Sequence, residues 1–268
     1  MRFAKWQGLG NDYLVIQRDD LPGPLTPARA ALLCDRHFGV GGDGILEVSH
    51  DEDAPRMTVW NPDGSQAENC GNGIRMVARH LDDEGRLGNG TILTGGGPVT
   101  VEVLPDGLVS VEMGEARFPA GENRELLTAG GRSHEFTEVS LGNPHAIIRH
   151  VDPAGVVEVD GPAIEVDPRF PERTNVEFIR ADGPSEITMR VWERGVGQTL
   201  ACGTGACAAA AAAVRLDGAQ SPVRVHLLGG DLTVAVDDDL NVTMTGPAAH
   251  IYTGTLSPDL LAKLKETT

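Results

Sequence analysis

Two cysteines, Cys70 and Cys202, occur in nearly the same local sequence. Each is followed by a Gly-x-Gly triplet, in NCGNG (69–73) and ACGTG (201–205), and then by a segment suited to a helix. The free N–H groups and the dipole of a helix start attract an anion and lower the pKa of a thiol. The pattern therefore predicts two reactive thiols, each beside a site for a substrate carboxylate.

A pair of such thiols is suited to acid–base chemistry at one carbon. A thiolate on one face removes a proton, and a thiol on the opposite face returns one. The two helix starts would stabilise the carbanion-like carboxylate that forms. If both thiols reach one cleft, this is the arrangement that a racemase or epimerase needs. We interpret Cys34 and Cys207, which lack this context, as small buried residues.

The sequence repeats itself with an offset of 132 residues. This offset relates Cys70 to Cys202, MTVW (57–60) to MRVW (189–192), and one LGN triplet (9–11) to another (141–143). The register runs without a gap from residue 9 to residue 246, and the period is far longer than that of a solenoid. We interpret the chain as two copies of one domain. The predicted parts are copy one (1–116), copy two (117–249), a linker (115–132), and a C-terminal segment (250–268) that packs on copy one.

Each copy has the pattern of several strands around one central helix. We therefore predict an α/β fold of the α+β type: two duplicated domains, each a mixed, mainly antiparallel sheet wrapped around a helix, related by a pseudo-two-fold axis. The predicted helices are 74–83 and 208–213, the second an apolar alanine run that should be buried. The predicted strands are 12–17, 56–61, 145–150 and 187–193, with hairpins over 99–113 and 232–244.

The composition restricts the partners. Acidic residues outnumber basic ones by 39 to 22, giving a formal charge of −17, which disfavours nucleic acid and anionic membrane surfaces. The N-terminal residues carry no apolar signal segment, and the longest apolar run, 206–214, is far shorter than the roughly 18 residues of a membrane span. We expect a cytoplasmic protein with no nucleic-acid or membrane partner. Four cysteines in 268 residues do not indicate a disulfide scaffold.

Other uses of these motifs are less favoured. A zinc site would need histidines at ligand spacing from the cysteines, and a redox pair is usually Cys-x-x-Cys; neither occurs. GVGGDG (39–44) is superficially like a dinucleotide-binding loop, but it lacks the G-x-G-x-x-G frame with an acidic residue about 20 positions later. We interpret it as a tight loop.

Six segments together resemble the diaminopimelate epimerase family: GLGNDYLVI, GVGGDG, WNPDGSQAENCGNG, GNPHAI, TNVEFI and ERGVGQTLACGTGA. The resemblance implies interconversion of LL- and meso-2,6-diaminopimelate, in lysine and peptidoglycan precursor biosynthesis. It implies two similar domains with the active site between them, a homodimer, and no cofactor, neither pyridoxal phosphate nor a metal. It also implies that Cys70 and Cys202 are the acid–base pair, with Cys202 taking the proton from the LL isomer and Cys70 donating on the other face.

The resemblance also implies a set of substrate-binding residues. Arg194 would bind the carboxylate of the non-reacting centre. Glu193 would accept from an ammonium group or tune a thiol, and His145 would support the thiols. Alternatively, the asparagines stabilise turns or helix caps, and His145 is a structural residue hydrogen-bonded within the wall of its domain. The predicted substrate-binding residues are Asn11, Asn61, Gly71, Asn72, Asn143, Asn175, Glu193, Arg194, Gly203 and Thr204.

Three positions depart from the family pattern: Gly44 stands where many members have Gln, Asn69 where an apolar residue is common, and Gln198 where Glu is common. They bear on specificity rather than on the reaction. Two rival functions stay open. One is a proline or hydroxyproline racemase-like enzyme, whose small cyclic substrate would have little use for a distal clamp. The other is a thiol-based redox sensor or an amino-acid binding protein without turnover.

Overall fold

A computed structural model describes residues 1–50, 54–67, 70–87 and 89–267. The chain divides into two compact units. Unit 1 comprises Met1–Val111 and Pro247–Thr268, and unit 2 comprises Glu112–Gly246. The domain bounds inferred from the duplication, 1–116 and 117–249, stay a prediction, because the compactness of a unit does not show that it folds alone. The departure noted at Asn69 lies outside the described residues.

The described residues contain 18 strands and five α-helices. The helices are α1 (Pro27–Cys34), α2 (Gly71–Asp83), α3 (Pro153–Glu165), α4 (Gly203–Asp217) and α5 (Pro258–Glu266). The strands are β1 (Arg2–Gly8), β2 (Asn11–Gln17), β3 (Gly44–His50), β4 (Pro55–Trp60), β5 (Gln66–Ala67), β6 (Asn89–Thr94), β7 (Gly97–Val103), β8 (Val109–Glu115), β9 (Glu125–Ala129), β10 (Arg132–Ser140), β11 (Pro144–Arg149), β12 (Asn175–Gly183), β13 (Glu186–Glu193), β14 (Gly197–Gln198), β15 (Val223–Leu227), β16 (Gly230–Val236), β17 (Asn241–Gly246) and β18 (Ala249–Thr255).

The two units have the same strand order. Unit 1 runs β18-β1-β2-β3-β4-β6-β7-β8, and unit 2 runs β9-β10-β11-β12-β13-β15-β16-β17. The third and fifth strand pairs of each series are parallel, and the other pairs are antiparallel. The parallel pairs are β2–β3 and β4–β6 in unit 1, and β11–β12 and β13–β15 in unit 2. The prediction of a mixed, mainly antiparallel sheet in each copy is confirmed. β18 completes the sheet of unit 1 as β9 completes that of unit 2.

The repeat register contains one slip that the sequence comparison missed. Val15 pairs with Leu46 between β2 and β3, whereas Ile147 pairs with Glu177 between β11 and β12. Val15 and Ile147 are 132 residues apart, but Leu46 and Glu177 are 131 apart. The expectation of a single register without a gap is therefore wrong at β3 and β12, and Leu46 is the structural equivalent of Glu177.

The two predicted helices form, and each begins directly after its cysteine. α2 buries most of its residues, and α4 buries the alanine run 208–213 completely. Alternate residues of a strand point to opposite faces of a sheet. In unit 2, Ile148 and Phe178 therefore belong to the core that α3 covers, while His145 and Glu177 point to the other face, toward α4.

The expectation of one helix per copy is incomplete. Helices α1, α3 and α5 cover the outer faces of the sheets, and each begins with a capping residue followed by proline: Thr26-Pro27, Asp152-Pro153 and Ser257-Pro258. The predicted linker is also wrong in part, because its residues 125–129 form β9. Among the residues that the structure describes, no helix combines the length and apolar character needed to cross a membrane.

Candidate active site

Cys70 is the N-cap of α2. Its extended backbone directs the side chain back over the helix start, where Sγ accepts a hydrogen bond from the N–H of Gly73 at 3.2 Å. The phenol of Tyr13 lies 3.6 Å from the same sulfur. Gly73 is required here, because a Cβ at this position would lie 2.7 Å from Leu46 Cδ2 and 3.2 Å from Cys70 Sγ. The helix start is thus built closely around the thiol.

The predicted polar residues near Cys70 bind each other. Asn72 donates from Nδ2 to Asn11 Oδ1 at 3.3 Å, and Asn11 donates to Asp43 Oδ2 at 2.8 Å. The fully buried guanidinium of Arg75 donates to Asn72 Oδ1 at 2.8 Å. Unit 1 therefore brings Cys70, Gly71, Asn72 and Asn11 together. Arg75, which the sequence analysis did not select, fixes the orientation of the Asn72 amide.

Cys202 is the N-cap of α4 and is 7% exposed. Its sulfur accepts from the N–H of Gly205 at 3.4 Å and lies 3.6 Å from the hydroxyl of Thr204. Asn143 donates from Nδ2 to that hydroxyl oxygen at 3.3 Å. Unit 2 thus repeats the cap geometry of unit 1 and brings together four of the predicted residues: Cys202, Gly203, Thr204 and Asn143.

Behind Thr204 lies a fully buried pair formed by His145 and Glu177. His145 Nδ1 is 2.8 Å from Glu177 Oε1, and its Nε2 is 3.0 Å from Asn143 Oδ1. Both side chains have no exposed surface. His145 is therefore bonded into the wall of unit 2 and also joined, through Asn143 and Thr204, to the Cys202 thiol.

Glu193 is the second carboxyl group near Cys202. Its side chain accepts hydrogen bonds from the hydroxyl of Thr199 and from the Cys202 thiol. Burial, together with the charge of Glu177, raises the pKa of Glu193 despite the opposing hydrogen bond from Thr199. The surroundings of Glu193 thus disfavour its ionised form.

The helix start acts to lower the pKa of the Cys202 thiol, as predicted, but the net pKa is not low. Burial raises the pKa of this thiol well above its usual value, and the charges of Glu193 and Glu177 raise it further. The hydrogen bonds from Thr204 and from the Gly205 N–H oppose this shift but do not reverse it. In this structure Cys202 is therefore a thiol at neutral pH, the form that donates a proton.

Three of the predicted substrate-binding residues form hydrogen bonds with other groups of the protein. Asn175 donates to the carbonyl of Pro144 and accepts from the Arg194 N–H, so its amide supports the main chain. Arg194 is exposed, and its guanidinium donates to the carbonyl of Glu172. Asn61 donates to Ser65 Oγ within a tight turn. The substrate-binding roles of these residues stay predictions.

Two of the departures from the family pattern have structural surroundings. Gly44 begins β3, and a Cβ there would lie 2.5 Å from both Tyr13 Cε1 and the carbonyl oxygen of Trp60. A longer side chain at this position does not fit beside Tyr13. Gln198 lies in β14, opposite Trp192.

The glycine-rich segment and the two remaining cysteines have defined surroundings. Residues 39–43 form a tight loop before β3, as predicted for GVGGDG. The N–H groups of residues 40–42 donate to the carbonyls of Leu33 and Cys34 at the end of α1. Cys34 and Cys207 are buried. None of the four cysteines, all within the described part of the chain, forms a disulfide. Among those described residues, no cluster of three or more histidine, cysteine and acidic side chains is arranged to hold a metal ion.

Sequence reasoning did not select Tyr13, Glu177 or Thr199. Tyr13 and Thr199 follow no pattern that separates them from other strand and loop residues. Glu177 carries a signal, because it is a charged residue within the buried strand segment NVEFI. A carboxylate is almost never fully buried without a specific partner.

The fold belongs to a class of two-unit α+β proteins that includes a solved hydroxyproline epimerase from Agrobacterium vitis. That structure matches with a TM-score of 0.68 and 16% identity, covering 100% of this chain and 98% of the other. At this identity the likeness shows the fold alone.

The sequence comparisons are more specific. The profile of the family described as Diaminopimelate epimerase matches residues 3–119 and 137–251. A diaminopimelate epimerase from Synechococcus sp. (strain JA-3-3Ab) is 44% identical, covering 95% of this chain and 98% of the relative, and one from Desulfitobacterium hafniense is 42% identical, covering 98% and 100%. The chain belongs to the diaminopimelate epimerase family.

Proposed function

We propose that this protein is a diaminopimelate epimerase, an isomerase that interconverts LL- and meso-2,6-diaminopimelate in lysine and peptidoglycan precursor biosynthesis. The observation that carries the proposal is the paired cap geometry within a chain of this family: Cys70 and Cys202 each cap a helix and accept its third N–H. A cysteine that served only as a small buried residue would not need the same helix-cap geometry in both units.

The reaction is a two-base proton transfer at the α-carbon. One thiolate takes the proton from one face, the other thiol delivers a proton to the opposite face, and the N–H groups of the helix starts hold the α-carboxylate. The raised pKa of Cys202 supports the donor role for this thiol in the resting protein. In the direction from LL to meso, Cys202 is the base, an assignment that rests on the family resemblance. It is the proton donor in the direction from meso to LL.

The distal half of the substrate carries a second carboxylate and a second ammonium group. The exposed guanidinium of Arg194 suits the carboxylate, because its fork can bind both oxygens. Amide groups of Asn11, Asn72 and Asn143 lie beside the thiols in their own units and can serve either charged group. A clamp of this kind favours a long, doubly charged amino acid over proline.

The protein acts without a cofactor in this proposal, in the cytoplasm, as a homodimer. Support for the dimer comes from β18, which pairs with β1 along one edge and exposes six of its seven residues. Ile251 and Tyr252 on this strand are 50% and 45% exposed. An exposed sheet edge with large apolar side chains is suited to pairing with a second copy.

The test is isotope flow during epimerisation of pure LL-diaminopimelate in heavy water. The protein is first dialysed against a chelator, and no pyridoxal phosphate is added. With two bases, the first product molecules carry solvent deuterium at the inverted carbon, because the delivered proton comes from a thiol already equilibrated with solvent. Recovered substrate carries little deuterium at low conversion.

The alternative outcomes separate the rival functions. Mostly unlabelled product would indicate a single base that passes one proton across the carbon. Epimerisation of proline or hydroxyproline in preference to diaminopimelate would indicate a proline or hydroxyproline racemase-like enzyme. Binding without any product would exclude the enzyme and leave a binding protein or a redox sensor.

A further inference from the structure

The two units differ at one buried position beside their thiols. In unit 1, Leu46 packs against Gly73, and in unit 2 its equivalent Glu177 packs against Gly205. A Cβ at Gly73 would lie 2.7 Å from Leu46 Cδ2, and a Cβ at Gly205 would lie 2.5 Å from Glu177 Oε1. Each glycine is the third residue of the helix that its cysteine caps. Unit 2 therefore holds a carboxylate where unit 1 holds an apolar side chain.

The fold alone does not require this carboxylate. Leu46 shows that an aliphatic side chain fits the same place in the same architecture. A fully buried carboxyl group is costly unless it is paired, and Glu177 has one partner, His145, at Oε1. Its Oε2 has no hydrogen-bond partner among the described residues. A costly group at a position that tolerates leucine indicates a functional role.

The hydrogen bonds that start at Glu177 have a defined direction. Asn143 Oδ1 can only accept, so the His145 Nε2 that faces it must carry a hydrogen. If Glu177 is protonated, it donates to Nδ1 of a neutral ring whose hydrogen is on Nε2. If Glu177 is ionised, it accepts from Nδ1 of a ring that carries a hydrogen on both nitrogens.

The same direction continues to the thiol. Asn143, with its oxygen occupied by the ring, donates from Nδ2 to the hydroxyl oxygen of Thr204. The hydroxyl hydrogen of Thr204 is then free to point at the Cys202 sulfur 3.6 Å away. A donor at this place stabilises the thiolate that forms whenever Cys202 gives up its proton.

We propose that Glu177 is a positioning residue for Cys202, which acts through His145, Asn143 and Thr204 to keep a hydrogen-bond donor on the sulfur. The inference rests on the proposed function for its catalytic meaning, but the hydrogen-bond chain exists in the protein without substrate. The titratable groups whose charges act on Cys202 are Glu193 on β13 and Glu177 on β12. Cys70 has the phenol of Tyr13 instead.

The test compares two uncharged replacements, Glu177→Gln and Glu177→Leu. Glutamine can donate to His145 Nδ1 and preserve the series of hydrogen bonds, whereas leucine cannot. Leucine is also the residue found at the equivalent position of unit 1. Because neither carries a charge, their difference isolates the hydrogen bond. The readout is the rate of Cys202 alkylation by iodoacetamide without substrate, followed by mass spectrometry below the pKa of the thiol, where the rate is proportional to the thiolate fraction.

We expect Cys202 to react about threefold more slowly in E177L than in E177Q, equivalent to half a pKa unit. Alkylation of Cys207 on the same helix serves as an internal measure of local opening. In the background of Thr204→Val the difference between the two variants should disappear, because the series of hydrogen bonds reaches the sulfur through the Thr204 hydroxyl. Equal rates in E177Q and E177L, or a difference that persists with T204V, would overturn the proposal.

Two further variants guard against misfolding. Asn143→Ala breaks the same chain from a half-buried position and should slow Cys202 alkylation about threefold relative to the unmodified protein. Asp160→Asn alters another fully buried carboxylate, which lies 3.0 Å from His134, and should leave the Cys202 rate relative to Cys207 unchanged. An unchanged rate in N143A, or an equal change in D160N, counts against the proposal. Because no turnover is measured, the result stands even if the epimerase assay fails.

Discussion

Tyr13 and Gly44 face each other on the neighbouring parallel strands β2 and β3, and the Tyr13 ring fills the space that a side chain at position 44 would need. The phenol at the far end of this ring reaches the Cys70 sulfur. Gly44, which departs from the family pattern, therefore leaves the space that the Tyr13 ring needs beside the Cys70 thiol.

This packing predicts a stability effect for Gly44→Ala. The added methyl group meets the Tyr13 ring and the Trp60 carbonyl, and the backbone atom cannot move away cheaply. We expect the free energy of unfolding to fall by about 1–3 kcal/mol. Urea unfolding measures it. Gly183→Ala is the control, because its nearest contact is ordinary at 3.8 Å, and it should change stability by less than about 0.5 kcal/mol. An equal effect of both substitutions would contradict this account.

Replacing either cap thiol should stop the reaction. We expect Cys70→Ala and Cys202→Ala each to lower kcat at least about 10²-fold in both directions, because every direction needs one base and one acid. Losing the cap hydrogen bond should cost only about 1 kcal/mol of stability, so the variants stay folded by thermal melting. Cys34→Ala is the control that should retain activity. Substantial turnover in C70A or C202A would exclude the two-thiol mechanism.

The same mechanism requires that the two thiols approach one carbon. Mild oxidation of the protein should therefore join Cys70 to Cys202 and stop turnover, and a reductant should restore it. Peptide mapping under non-reducing conditions identifies the linkage. Bound diaminopimelate should slow the oxidation, because the proposed two-base mechanism requires the substrate carbon to lie between the sulfurs. Inactive oxidised protein in which both thiols still react with an alkylating agent would count against this arrangement.

Cys34 should make the protein less stable at alkaline pH. Burial raises the pKa of its thiol from 9.0 to about 11. The folded protein then holds this proton more tightly than the unfolded chain does, so the contribution is complete below pH 9 and is lost as the pH rises toward 11. The loss amounts to about 2–3 kcal/mol.

Urea unfolding between pH 8 and pH 10.5 measures this effect, with Cys34→Ala for comparison. The slope of stability against pH is the relevant quantity, because the cavity left by alanine lowers stability equally at every pH. We expect a shallower decline in C34A than in the unmodified protein. Parallel curves would show that Cys34 makes no contribution.

The exposed strand β18 predicts a dimer that a single charge can disrupt. Ile251→Lys places a charged group in the proposed contact and should shift the mass measured by light scattering from dimer to monomer at micromolar concentration. Val159→Lys on α3, where the native valine is 58% exposed, is the control and should leave the dimer intact. A monomeric unmodified protein, or a dimer unaffected by I251K, would place the contact elsewhere or remove it.

Much of the fold follows from local patterns. The Gly-x-Gly after each cysteine, the alanine run and the alternating strands located α2, α4 and the hairpins, because these signals come from residues close together in the chain. Helices α1, α3 and α5 were missed although Thr26-Pro27, Asp152-Pro153 and Ser257-Pro258 are helix-start signals. The one-residue slip at β3 and β12 was beyond sequence comparison, since it is visible only in which residues pair across strands.

The sequence by itself determined the duplication, the two cap cysteines and the family. The tertiary structure decided how the cysteines differ. Helix starts are alike in both units, and on that basis alone both thiols should ionise readily. Burial and the carboxyl groups of Glu193 and Glu177, which lie on other strands, reverse that expectation for Cys202. The physical reason is that the charge state of a buried group depends on desolvation and on neighbours distant in sequence, and only folding brings these to the thiol.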